Sequence, residues 1–253
     1  SDFGKIKENY KEVLNHNAIA WEEETHTESL ILNADVVMKS PGIPDKSNIV
    51  KQLKKNNVPI ISEIEFASQF TEVVTIGITG SNGKTTTTML THHLLKQGGM
   101  NVGIAGNIGK SFAWQIAENK YEAYVLELSS FQLDGIVNYR PHIAVMTNIS
   151  PDHLDRYNYD YDLYIAAKFR ITKNQTEEDF FIYDDDDEAI VKWLSENTIR
   201  AKKVPFSLLK KHEEGAYADE NNITTNINNE EFTMSINELS LEGKHNVKKS
   251  PLN

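Results

Sequence analysis

Val73-Val-Thr-Ile-Gly-Ile-Thr-Gly-Ser-Asn-Gly-Lys-Thr-Thr-Thr-Thr88 decides how the rest of the chain is read. Its first six residues, Val73 to Ile78, are apolar and largely β-branched, which predicts a buried strand. The turn Gly80-Ser81-Asn82-Gly83 follows, and Lys84-Thr85 then open a segment with Met89, Leu90, Leu94 and Leu95 at helical spacing. Strand, glycine turn, Lys-Thr and helix make the architecture of a phosphate-binding loop. Glycines let backbone N–H groups turn toward an anion, and a helix N-terminus adds unpaired N–H groups and the positive end of its dipole. In this reading Gly80, Ser81, Asn82, Gly83, Lys84, Thr85 and Thr86 hold phosphate, Lys84 reaches the β/γ-phosphates and Thr85 ligates Mg²⁺. The strict pattern G-x-x-x-x-G-K-[ST] requires glycine at position 78, where this chain has Ile78. The physical context holds although the pattern fails.

Downstream, strands and helices alternate, which predicts an α/β fold with a mostly parallel sheet and helices on both faces. Expected strands are Val102 to Ala105, Tyr124 to Leu128, Ile143 to Asn148 and Phe180 to Tyr183. Expected helices are Ser111 to Ala117 and Tyr161 to Thr172. Four polar clusters, 80–85, 106–109, 127–130 and 150–155, close the parallel strands at the edge where open α/β sheets bind ligands. Glu127 stands inside the apolar run Tyr-Val-Leu-Glu-Leu, so its carboxylate requires a metal, an ion pair or structural hydrogen bonds. His153, in Pro-Asp-His-Leu-Asp-Arg-Tyr, is a candidate for metal ligation or substrate orientation. Composition alone makes Lys168 an ordinary surface lysine. The acidic run Asp184 to Glu188 reads as a solvated loop and a helix N-terminus. Residues 216–242 alternate polar and apolar and predict antiparallel strands, with loop and hairpin at 221–229.

Residues 1–62 predict a smaller α/β region. Ile6 to Leu14 and Ile49 to Lys55 read as helices. Ala18 to Trp21, Ala34 to Met38 and Pro59 to Ser62 read as strands, and Ser40-Pro41-Gly42-Ile43-Pro44 as a turn. The chain's 253 residues suit one large or two modest domains. A net charge of −11 argues against a nucleic-acid partner. There is no cysteine, which excludes disulfide and thiolate chemistry. No apolar run approaches a membrane span, and a cytoplasmic protein without a membrane partner is expected.

Taken together these residues resemble the Mur ligase family, the ATP-dependent amide-forming enzymes of peptidoglycan synthesis. The resemblance is carried by Ile78-Thr-Gly-Ser-Asn-Gly-Lys-Thr-Thr86, Gly106-Asn-Ile-Gly109, Glu127-Leu-Ser-Ser-Phe-Gln-Leu133, Asn148-Ile-Ser-Pro-Asp-His-Leu-Asp-Arg-Tyr157 and Gly243-Lys-His-Asn246. The third of these looks most like the branch that joins D-glutamate to UDP-N-acetylmuramoyl-L-alanine. The resemblance implies a P-loop-type ATPase domain at 63–253 and an incomplete Rossmann-like UDP-binding domain at 1–62. It implies ATP and two Mg²⁺ ions as cofactors. Thr85, Glu127 and His153 then serve the metals, and Lys168 matches a family lysine that is carbamylated. Asn107 contacts phosphates and the UDP-sugar substrate, Asn246 lies near the adenine, and Ser40, Pro41 and Gly42 match a turn of the UDP-binding domain. Lys84, His153 and Lys168 are the implied catalytic residues. Set against the family pattern, a first strand with its glycine turn and a third, amino-acid-binding domain are expected to be missing, so the chain by itself is expected not to make the amide. A nucleotide-binding module without ligase activity is the alternative that stays open on sequence.

Overall fold

The computed structural model describes residues 1–238, and the chain divides into two compact units, Ser1–Ile61 and from Ser62 onward. The first unit holds α1 (Glu8–His16), α2 (Glu28–Leu32), β1 (Val37–Met38), α3 (Asn48–Lys55) and β2 (Ile60–Ile61). β1 and β2 pair in parallel, Val37 with Ile60 and Met38 with Ile61. Val50 and Leu53 on α3 supply its buried apolar contacts. The turn expected at Ser40 is present, closed by Ile43 N–H donating to Ser40 O at 3.0 Å. Ala18 to Trp21 forms no strand. Ala18 has a φ of +53°, which breaks extension just after α1, and Trp21 Nε1 instead donates to Asn15 Oδ1. The strand expected at Ala34 to Met38 shortens to its last two residues because Ala34 N–H still donates to Ile31 O behind α2.

The second unit runs α4 (Glu63–Ser68), β3 (Val74–Thr79), α5 (Lys84–Gln97), β4 (Val102–Gly106), α6 (Phe112–Glu118), β5 (Ala123–Glu127), α7 (Ser130–Asp134), β6 (Ile143–Met146), α8 (Tyr161–Phe169), β7 (Phe180–Asp184), α9 (Glu188–Glu196) and β8 (Lys202–Ser207). It closes with β9 (Gly215–Ala218), β10 (Asn222–Ile227) and β11 (Glu230–Ser235). They form one sheet in the order β11-β10-β9-β8-β7-β6-β3-β5-β4. Every pairing from β4 to β9 is parallel, and β9, β10 and β11 are antiparallel. The fold is therefore α/β with a mostly parallel sheet, as the alternation predicts.

Period-two alternation explains the two cores. Leu126, Met146, Phe181 and Tyr183 face one side, against Phe112 of α6, Leu133 of α7, Phe169 of α8 and Ile190 of α9. Val125, Val145, Ile182 and Val204 face the other, with Leu95 of α5. Burial of such side chains stabilises by about 1.5–3 kcal/mol each.

Three elements depart from expectation. The helix expected over Tyr161 to Thr172 is α-helical only to Phe169, and Arg170–Thr172 is a 3-10 turn. Ser129 starts a short helix, α7, through a capping box with Gln132, where a strand end was expected. Asn222 to Ile227 is strand rather than loop, and the turn itself is Asn228-Asn229, with φ of +55° and +66°. Two asparagines with positive φ suit the tight turn that joins twisted antiparallel strands.

Candidate functional site

β3 ends at Thr79, and the chain turns sharply at Gly80 (φ +145°) and again at Gly83 (φ +80°). Gly83 precedes the first residue of α5 and brings no side chain to cap it, so no side chain competes for the first-turn N–H groups. Lys84 Nζ donates to Gly80 O and Ser81 O, both at 2.9 Å. Thr85 and Thr86 are exposed on the first turn.

Strand register places the other clusters beside this loop. Glu127 is the register partner of both Ile78 on β3 and Gly106 on β4. Thr79 pairs with Met146, so residues 147–150 leave β6 at the same edge. At Gly106 (φ +99°) a Cβ would run into Glu127 O, and this tight crossing lets Asn107 N–H donate to that carbonyl at 2.8 Å. Asn107 Nδ2 donates to Glu127 Oε1, also at 2.8 Å. Glu127 is 2 % exposed, and among the described residues its Oε2 has no hydrogen-bond partner. Desolvating a carboxylate oxygen without a partner is costly, so the position suits a cation.

Lys168 is not a surface lysine. It sits on α8 at 2 % exposure, donates from Nζ to Gly80 O at 2.7 Å, and lies 4.7 Å from the centre of the Tyr164 ring. Two lysines therefore share the Gly80 carbonyl. Burial is the chief cause that lowers Lys168 to about 7, the positive charge of Lys84 adds to it, and Asp152 opposes it. Between about pH 7 and the ordinary lysine value the unfolded chain binds more protons than the folded one. Stability should therefore rise with pH from 7 to 9, by at most about 1.4 kcal/mol per unit from this group. Urea unfolding at pH 7, 8 and 9 checks this. The Lys168→Met variant is expected to lose that slope, and an unchanged slope would show that Lys168 is not its source.

His153 occupies a left-handed backbone position (φ +50°), with Nε2 3.6 Å from Asp152 Oδ2 and its ring 5.4 Å from that of Phe131. The Arg156 guanidinium lies 4.4 Å from the centre of the same Phe131 ring. Among the described residues no three His, Cys, Asp or Glu side chains converge as a metal cluster. A cation here would need hydroxyl, amide or ligand oxygens as well. The acidic run is structural. Asp187 Oδ1 caps α9 through Ala189 and Ile190 N–H, while its Oδ2 accepts from Ile149 N–H at 2.8 Å. Asp184, expected in a solvated loop, is buried at the end of β7, with Oδ1 accepting from Asp186 N–H. Asn246 and the Gly243-Lys-His-Asn246 motif lie outside the described residues.

Sequence reasoning assigned no role to Thr147, Asn148, Ser150 or Tyr164, yet all four bind the loop. Ser81 Oγ donates to Ser150 O at 2.8 Å, accepts from Ser150 N–H at 2.9 Å, and lies 3.0 Å from Tyr164 OH. The available signal was position: Thr147 and Asn148 are the last residues of a predicted parallel strand, and Ser150 comes just after it.

Fold and site together define an α/β protein of the phosphate-loop type. The family model described as Mur ligase middle domain matches residues 78–249, and the one described as MurD N-terminal domain matches residues 1–49. The chain belongs to the Mur ligase family. It is 61% identical over 98% of its length to the UDP-N-acetylmuramoylalanine--D-glutamate ligase of Christiangramia forsetii, of which it covers 56%. It is 52% identical, again over 98% of its length, to the ligase of the same name from Bacteroides fragilis, of which it covers 55%. The chain thus spans about half the length of these curated relatives. Its fold is similar to that of the crystal structure of UDP-N-acetylmuramate:L-alanyl-gamma-D-glutamyl-meso-diaminopimelate ligase from Neisseria meningitides. That likeness has a TM-score of 0.62 at 18% identity and covers 98% of this chain and 81% of that one. Among the described residues no helix is long and apolar enough to cross a membrane.

Proposed function

We propose that this chain is the nucleotide-binding part of a cytoplasmic ligase that joins D-glutamate to UDP-N-acetylmuramoyl-L-alanine. The reaction would proceed through an acyl phosphate at the expense of ATP. The observation that carries this reading is Glu127, a buried carboxylate with one oxygen held by Asn107 and the other unpartnered among the described residues, in register with the strand that feeds the Gly80–Gly83 loop. A hard cation suits that oxygen, so Glu127, the Thr85 hydroxyl, His153 and a modified Lys168 are assigned to hold two Mg²⁺ ions. When bound, Mg·ATP supplies the phosphoryl group and neutralises the charge that spreads over it.

This chain's own residues orient and hold. The N–H groups at the start of α5 face the phosphates, and Lys84 carries its ammonium to the transferred oxygens. Asn107 contacts the phosphates and the UDP-sugar substrate, His153 orients the substrate beside the metals, and Ser40, Pro41 and Gly42 serve the UDP end; Asn246, outside the described residues, is assigned to the adenine. Lys168 is lowered to about 7, so at neutral pH much of it is free amine. That amine can attack carbon dioxide, forming an N–C bond and releasing a proton. The product carbamate replaces a cation with anionic oxygens suited to a metal. Incubation with ¹³C-bicarbonate should give a carbamate carbon resonance that Lys168→Met lacks; the same resonance in both would overturn the assignment.

Calorimetric titration with ATP and Mg²⁺ tests the nucleotide site. Lys84→Ala is expected to weaken binding by about 1.5–3 kcal/mol, roughly 10- to 150-fold, with the fold intact. Equal affinity in the two proteins would overturn the phosphate-loop reading. Substrate choice is tested by mass spectrometry of products made by the protein that contains this chain, given UDP-N-acetylmuramoyl-L-alanine, ATP, Mg²⁺ and competing amino acids. Incorporation of D-glutamate supports the proposal, and incorporation of a diamino acid in its place overturns it.

A further inference from the structure

We infer that Asn148, assisted by Thr147, is a positioning residue that holds both backbone polar groups of Asn82 and so aims the N–H groups from Gly83 onward at the anion. The inference rests on the nucleotide-binding reading above. The loop has four residues, two of them glycine, and glycine brings no conformational preference of its own. An anion site made of backbone N–H groups is effective only when those groups are already oriented. Something outside the loop has to orient them.

The end of β6 does this at a single residue, through the peptide on each side of it. Asn82 N–H donates to Asn148 Oδ1 at 2.9 Å. Asn82 O accepts from Asn148 Nδ2 at 2.9 Å and from Thr147 Oγ1 at 2.8 Å. Ser81 N–H donates to the Asn148 carbonyl at 2.9 Å. A carboxamide carries an acceptor and a donor on one planar group, which lets it satisfy both polar groups of Asn82 at once. Aspartate at 148 would set a second acceptor against the Asn82 carbonyl, and alanine would offer nothing. The same bonds consume the N–H groups of Ser81 and Asn82. Those of Gly83, Lys84, Thr85 and Thr86 are left to meet the anion. Gly83, at φ +80°, directly follows the clamped residue, so the clamp sets the direction from which α5 begins.

The test is calorimetry of the intact chain with ATP and Mg²⁺, beside thermal melting without nucleotide, for wild type, Asn148→Ala, Asn148→Asp, Thr147→Val and Lys84→Ala. Asn148→Ala is expected to weaken ATP about 10-fold and Thr147→Val about 3-fold, in line with the net worth of a few hydrogen bonds. Asn148→Asp should weaken it more than Asn148→Ala. Melting temperatures should stay within about 4 °C of wild type, the shift that 1–2 kcal/mol produces at this size. A residue that only supports the fold would lower the melting temperature and leave the affinity of the folded protein alone; that result overturns the inference. So does wild-type affinity in Asn148→Ala beside a large loss in Lys84→Ala, which would leave the nucleotide reading standing. Equal affinity in Lys84→Ala and wild type removes that reading and this inference with it. If Asn148→Ala does not fold, Asn148→Asp and Thr147→Val decide, since both keep the volume of the side chain. Weakened ATP in those two supports the clamp, and wild-type affinity in both overturns it.

Discussion

Gly80→Ala is expected to destabilise the second unit by about 4 kcal/mol and to abolish nucleotide binding, the sum of a strained backbone and an overpacked contact. Gly80 holds a φ of +145°, a conformation that side chains resist. A Cβ there would also overlap Thr147 Oγ1 and approach Asn148 O to 3.1 Å. The Thr147 hydroxyl cannot simply swing aside, because it donates to Asn82 O. Urea unfolding of Gly80→Ala, Thr147→Ala and the double variant forms the test. The double variant should recover part of the loss by removing the overlap and keep the part due to backbone strain. Stability within 1 kcal/mol of wild type in Gly80→Ala, about the typical effect of a point change, would show that this turn tolerates a side chain.

Glu65→Ala should cost about 3 kcal/mol, the desolvation of backbone donors left without an acceptor. Glu65 lies on α4 at 1 % exposure, and its carboxylate accepts from Val137, Asn138 and Tyr139 N–H at 2.8 to 3.1 Å. Three consecutive N–H groups around one carboxylate tie α4 to the segment that follows α7. Glu65→Gln keeps one acceptor oxygen but turns an NH₂ toward these donors, so an intermediate loss is expected. Denaturant midpoints report both. A Glu65→Ala protein as stable as wild type would show that water replaces the carboxylate at no cost.

The phosphate loop was legible because its parts are adjacent. Strand, glycines, lysine and helix follow one another within sixteen residues, and each signal is local. Glu127 was legible for a different reason: a carboxylate inside an apolar strand needs an explanation whatever surrounds it. Lys168 shows the limit of composition. Its flanking residues, Ala167 and Phe169, are apolar, but Arg170 and the helical period allow either face, and only the fold buries it under Gly80. Glu65 was invisible because Glu63-Ile-Glu65 reads as the acidic first turn of any helix, while its partners lie over seventy positions away. β8 went unrecognised because Lys202, Lys203 and Pro205 are poor strand formers; parallel pairing with β7 and burial of Val204 and Phe206 override them. β10 was hidden in the same way by its asparagines and threonines, which its two antiparallel neighbours hold in the ladder.

The distance along the chain between the loop and its supports has a consequence for how the protein is made. Asn82 waits for Asn148, 66 positions later; Ser81 for Ser150, 69 later; Gly80 for Lys168, 88 later. At synthesis rates of about 5–20 residues per second, the last of these takes roughly 4 to 18 seconds to arrive. During that interval β3, an apolar strand with partners on both sides in the finished sheet, has left the ribosome ahead of both β5 and β6. An apolar strand with open edges is a surface for chaperones or for association with another nascent chain. The segment that announces itself most clearly in the sequence is therefore among the last to take its shape as the chain is made.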